Sequence, residues 1–235
     1  MMSSLGQSHL ARSSTAFVLV ALLSLLAFSA QASETPKPAE LNEEQRAKIE
    51  KGEILVEVDQ GESINRGVII GIVQDPLSDV VPLVAQCWEY AAYREVVENT
   101  RLEDRVEDED GVIVCSGTAK TPFPASDRHG HFRVHNRTEH LNGERSFVST
   151  FNYVEDSGNL EDMFGYWVLT PYGPNDEHTL LKHVLNVDIG GWIPSFLIRW
   201  ATRRTLPGTV TNMRQHLDSE GVREESKDFW QDYSY

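Results

Sequence analysis

Hydrophobic and polar positions along the chain change period twice before the C-terminal helix. Residues 54–58 and 67–74 read as two strands, the second rich in Val and Ile, joined by the turn-like Gln60-Gly61-Glu62-Ser63. After Asp75-Pro76 the spacing becomes helical. Val80, Val81, Val84, Cys87, Trp88, Ala91 and Ala92 follow one face, with Ser78 or Asp79 placed to cap it. From Thr100 onward strand follows strand. Residues 100–106 pair with 111–119 across the acidic turn Glu107-Asp108-Glu109-Asp110-Gly111, and further strands are predicted at 129–136, 145–155, 163–171 and 178–188. The acidic turn lacks the ligand spacing of a calcium loop and reads as a solvated hairpin tip.

The last segment returns to a helical period. Trp192, Phe196 and Trp200 recur every four residues, as do Ile193, Leu197 and Ala201, forming a wide apolar stripe from which Arg199, Arg203 and Arg204 are excluded. Pro207 cannot donate its backbone nitrogen, which costs about 3 kcal/mol in an unbroken helix. A kink or break is therefore predicted there, with Leu206, Val210, Met213 and Leu217 resuming the stripe beyond it. A strand pair, helices, about six strands and a long final helix make an α+β chain with an antiparallel sheet. The aromatic helix is then either the core of a sheet wrapped around it or one wall of an apolar cavity.

Composition adds boundaries. Residues 1–32 read as a cleaved signal peptide, with Arg12, an apolar run over 16–28 and the small-residue site Ala30-Gln31-Ala32. Residues 33–52 form a linker or a short exposed helix, 53–217 the folded domain and 218–235 an acidic tail. Without the signal peptide, 20 basic against 36 acidic residues leave a net charge of −16, which argues against nucleic acid and against broad attraction to an anionic membrane. Local basic groups still allow a transient membrane contact. Export to the periplasm makes a disulfide between Cys87 and Cys115, the only two cysteines, chemically accessible. Cys87 in a helical pattern and Cys115 in a strand pattern equally fit two buried free thiols.

The chain resembles a START-type lipid-transfer domain of the helix-grip superfamily. The resemblance rests on Thr121-Pro122-Phe123-Pro124-Ala125-Ser126-Asp127-Arg128, similar to that family's proline-rich bend into a central strand. It rests also on the Trp192-Ile193-Pro194-Ser195 to Trp200 segment with Leu206-Pro207 and Met213-Arg214 after it, and on the element order over most of the chain. It implies a helix-grip fold: a curved antiparallel sheet wrapped around a long C-terminal helix, with a tunnel for a lipid between them. The family's buried Arg maps onto Arg128, where His129 follows instead of the usual acid and Asp127 is placed to substitute.

The candidate ligand-binding residues are Arg128, Phe132, Trp192, Phe196 and Trp200. Arg128 either orients a polar head group in the tunnel or ties a loop to a carboxylate such as Asp127. His129, His131, Arg133 and His135 alternate along one strand face. Two of these imidazoles, with His178 or His183, could approach a metal, but the absence of a recognisable ligand spacing favours a polar outer face opposite Phe132 and Val134. No Gly-x-Ser-x-Gly elbow accompanies Ser126 and His129. The expected function is non-catalytic binding, and carriage, of a lipid or other hydrophobic small molecule by a monomer without cofactor. A helix-grip enzyme of cyclase or hydratase type is the alternative, and an interaction module with a filled core is a third.

Overall fold

The computed structural model describes residues 34–61, 64–121, 123, 125–190 and 195–219, without the side chains of 60, 195–202 and 204. The expected signal peptide, Trp192 and most of the acidic tail lie outside the described residues. Eight strands form one sheet: β1 (Leu55–Gln60), β2 (Asn65–Val73), β3 (Val97–Arg105), β4 (Val112–Ala119), β5 (Arg128–Leu141), β6 (Glu144–Tyr153), β7 (Asp162–Tyr172) and β8 (His178–Asp188). Their order is β1-β2-β8-β7-β6-β5-β4-β3, with every neighbouring pair antiparallel. Irregularities in the β3–β4 register, next to Asn99 at φ 54°, break the ladder near the sheet edge; such bulges increase the local twist.

The helical elements are α1 (Glu43–Glu50), α2 (Leu77–Ala85), a single turn at Cys87–Glu89, α3 (Tyr90–Tyr93) and α4 (Ser195–Ser219). Alternation along the strands gives the sheet two apolar faces. On the inner face Ile69, Phe147, Trp167, Leu169 and Leu181 pack with α2 and with Leu206, Val210, Met213 and Leu217 of α4. On the outer face Val68, Ile70, Val148, Val168 and Val184 pack with Ile49 of α1 and with Ala39 and Leu41. The segment expected as a linker or short exposed helix thus carries a buried side chain. Its helix starts at a capping box in which Asn42 Oδ1 accepts from the Gln45 N–H (2.8 Å) and Gln45 Oε1 from the Asn42 N–H (3.0 Å).

Three local expectations are corrected. Neither Ser78 nor Asp79 caps α2, whose N-cap is Pro76 without a side-chain hydrogen bond. The helical face also does not continue to Ala91 and Ala92, which are exposed. Gln86 adopts an extended backbone (φ −97°, ψ 91°) between α2 and the following turn, so the helical phase resets and Tyr93 is buried instead. Finally, α4 runs unbroken through Pro207. Leu206 just before the proline and Val210, Met213 and Leu217 beyond it are buried, and at about 1.5–3 kcal/mol each they outweigh its cost.

Candidate functional site

The inner face is packed at one end of the strands and hollow at the other. Leu169 and Leu181 are fully buried, whereas Met163 and Leu185, further along the same strands, are half-buried and border a cavity of about 590 Å³. Phe132, Val187, Ile189 and Trp167 add apolar wall, and Thr205, Leu206 and Thr209 bring α4 to it. Small residues keep the space open along β4, where Gly117 and Ala119 lie on the inner face opposite Gly130 and Arg128. On β2 Gly67 admits the side chain of Leu206, since a Cβ there would stand 2.7 Å from Leu206 Cδ1.

The most unusual charge in this wall is Arg94, at the end of α3. Its guanidinium carbon lies 5.6 Å from the ring centre of Tyr90 and 5.9 Å from that of Trp167, cation–π distances. Its Nε is buried without a hydrogen-bond partner, and no ion pair among the described residues involves it. Tyr90 is held in place by donating its hydroxyl to the Val84 carbonyl (2.9 Å), and burial pushes its pKa up to about 12. Beside Trp167, His183 stacks at 3.7 Å between ring centres. Its Nδ1 is 3.2 Å from the Tyr166 carbonyl oxygen, and burial, reinforced by the charge of Arg94, holds its pKa well below the usual imidazole range.

Arg94 and Tyr90 did not stand out in the sequence. Their four-residue spacing on a helical run was the available signal, obscured by the phase reset at Gln86. Of the residues that were singled out, Phe132 and Arg128 line the cavity. Arg128 fastens loops: its Nε donates to the Ile189 carbonyl (2.8 Å), one terminal nitrogen to the Ser126 carbonyl (2.8 Å) and hydroxyl (2.9 Å), the other to the Gly190 carbonyl (3.3 Å). It therefore joins the entrance of β5 to the exit of β8. Asp127 is not its partner, because that carboxylate accepts from the Thr121 N–H (3.0 Å).

For Phe196 and Trp200 the helix backbone is described but not the side chains, and Trp192 lies outside the described residues. His131, Arg133 and His135 occupy the face opposite Phe132 and Val134, with Arg133 paired to Glu109 at 2.5 Å. His183 sits in the inner core rather than beside them, and no group of metal-ligating side chains is found among the described residues. Cys87 and Cys115 are joined as a disulfide whose two residues both line the cavity. Closing a loop of 28 residues contributes about 3.5 kcal/mol on the chain-entropy account.

No protein-family model matches the chain, and no curated protein matches it. Among solved structures it is similar to a fragment of a STAR-related lipid transfer protein from Xanthomonas axonopodis, at 17% identity and a TM-score of 0.55, covering 70% of this chain and 99% of that one. It is similar to human StAR-related lipid transfer protein 5 at 16% identity and a TM-score of 0.55, covering 70% and 87% respectively. The lipid transfer and protein localization domain of human StarD13 matches at 12% identity and a TM-score of 0.53, over 75% of this chain and 98% of that domain. At such identities the likeness concerns architecture, and together with the sheet order and the C-terminal helix it shows that this chain has the START-like helix-grip fold.

Proposed function

We propose that the protein binds one lipid or similar apolar molecule non-covalently in this cavity and, exported to the periplasm, carries it through water as a monomer. The observation that carries the reading is the cavity itself: about 590 Å³, walled mainly by apolar side chains, with Arg94 in its lining and that residue's guanidinium over the Tyr90 and Trp167 rings. That volume falls within the roughly 300–1,000 Å³ of small-molecule sites. The lipid-transfer names of the similar solved structures point the same way.

Magnitudes assign roles to the two parts of the site. Burying about twelve methylenes contributes about 10 kcal/mol. Association costs roughly 4–15 kcal/mol, so the apolar term alone leaves the affinity marginal. A charge-assisted hydrogen bond from Arg94 adds about 1.5–3 kcal/mol and selects a ligand whose head is anionic or strongly polar. Loading requires approach to a membrane. Phe123, 93% exposed and in the loop that contributes Thr121 and Ala125 to the cavity, is the proposed point of transient contact.

Mass spectrometry of organic extracts from the purified protein tests the reading. A reproducible, stoichiometric lipid or lipid-like molecule is expected. A protein that purifies empty and takes up no apolar probe sinks the proposal, and turnover of the extracted molecule would make the protein an enzyme.

A further inference from the structure

The disulfide is built into the wall of the cavity. Cys87 and Cys115 are only 3% and 2% exposed, yet both border the hollow space. Cys115 lies on the inner face of β4 opposite Phe132, and Cys87 opens the short helical run that leads through Tyr90 to Arg94. That run consists of a three-residue turn and a four-residue helix, too short to hold its own shape. Tyr90 and Tyr93 fasten it to α2 by donating their hydroxyls to the carbonyls of Val84 (2.9 Å) and Leu83 (3.0 Å). Toward the edge of the sheet it is fastened by the Thr100 hydroxyl, which donates to the Trp88 carbonyl (3.1 Å), and by the disulfide to β4.

We propose that the Cys87–Cys115 disulfide is a redox-sensitive latch on the ligand cavity. Oxidised, it holds the wall bearing Tyr90 and Arg94 against β4 and retains the ligand. Reduced by a dithiol, it slackens that wall and lowers affinity without unfolding the sheet. The latch rests on the cavity being a ligand site. In the reduction a thiolate of the dithiol attacks one sulfur, the other leaves as a thiolate, and the second thiol of the reductant resolves the mixed disulfide. The protein gains two electrons and two protons as two thiols, and the dithiol becomes a disulfide. Linkage makes the effect reciprocal: a ligand that prefers the oxidised form must stabilise the disulfide by the same factor.

The test uses wild-type protein with anilinonaphthalene sulfonate, an apolar anion, as probe. Its affinity is measured for oxidised and for dithiothreitol-reduced protein, with far-UV circular dichroism recorded on both. The fraction reduced in a dithiothreitol redox buffer is then measured by thiol alkylation and mass spectrometry, with and without saturating probe. The expected result is about a tenfold weaker affinity on reduction and an equal shift of the redox equilibrium by the probe, with the β-sheet spectrum retained. Stoichiometric binding that is equal in the two redox states overturns the latch and leaves the ligand site standing. Unfolding on reduction also overturns it, since the bond would then be a global stabiliser. Failure of the oxidised protein to bind the probe overturns both readings.

Discussion

Replacing Arg94 by Met isolates the polar part of the cavity from its apolar part. Methionine is unbranched and keeps most of the buried stem while removing the guanidinium. The native group gains from two rings at 5.6 and 5.9 Å, at about 0.5–1 kcal/mol each. Against this stands a half-buried charge whose Nε has no hydrogen-bond partner, a cost of about 1–3 kcal/mol. The two nearly cancel, so the Arg94→Met protein is expected to unfold within about 1 kcal/mol of wild type. Ligand selectivity, in contrast, should change sharply. Loss of a charge-assisted bond of about 1.5–3 kcal/mol weakens an anionic probe by roughly 10- to 150-fold, while a neutral probe of the same apolar size changes by less than about threefold. Fluorescence titration with a fatty-acid probe and its methyl ester, alongside urea unfolding, measures all three quantities. Equal weakening of acid and ester would refute the assignment of Arg94 to the ligand's head, as would unchanged binding of both.

Three further outcomes follow from the same geometry. Burial holds the folded-state pKa of His183 well below the usual imidazole range, so the unfolded chain binds its proton first on acidification. The stability it permits is present above the unfolded imidazole pKa, about 6.5, and is lost as pH falls toward the folded-state value; urea unfolding at about pH 7.5 and 5.5 should show a larger loss of stability on acidification in wild type than in His183→Phe, and equal losses would contradict the burial. A Cβ at Gly165 would stand 2.0 Å from the Val184 carbonyl oxygen and 2.7 Å from Phe151 Cζ; Gly165→Ala should cost about 3 kcal/mol or more, and a thermal melt within 2 °C of wild type would contradict the packing. Phe123→Ser removes a side chain that is 93% exposed, so stability should stay within about 0.5 kcal/mol while transfer of a fluorescent lipid between vesicles slows; an unchanged transfer rate counts against the membrane contact.

The sheet was legible because its signals were local and redundant. Alternation over 178–188 matches β8, and the acidic turn after Val106 separates β3 from β4 as its charge requires. What escaped were departures from period. An extended Gln86 rotates the helical phase by enough to send Ala91 and Ala92 outward and Tyr93 inward, and no single residue there announces the break. At Pro207 the break that the sequence allowed does not occur, since its local cost is set against burial of Leu206, Val210, Met213 and Leu217, which only the assembled sheet supplies. Arg128 stood out by its motif, but two of its partners, the carbonyls of Ile189 and Gly190, lie more than sixty positions away.

The cavity itself has no periodic signature, because apolar spacing separates a covered face from an exposed one and not a packed side chain from one bordering empty space. Leu181 and Leu185 follow each other on the same face of β8, the first fully buried and the second half-buried at the cavity. Energetics distinguishes what the pattern does not. A sealed, dry cavity costs about 24 cal/mol per Å³, but this space of about 590 Å³ opens to solvent, so in the unliganded protein water reaches its apolar wall. Ordered waters make two to four hydrogen bonds apiece, and although polar groups such as Arg66, Arg94 and Arg128 also line the space, Phe132, Met163, Leu185, Val187 and Ile189 can make none. On the proposed reading, an apolar molecule displaces water from these side chains while its head pairs with Arg94, and the hydration that the apolar wall sheds is what drives binding.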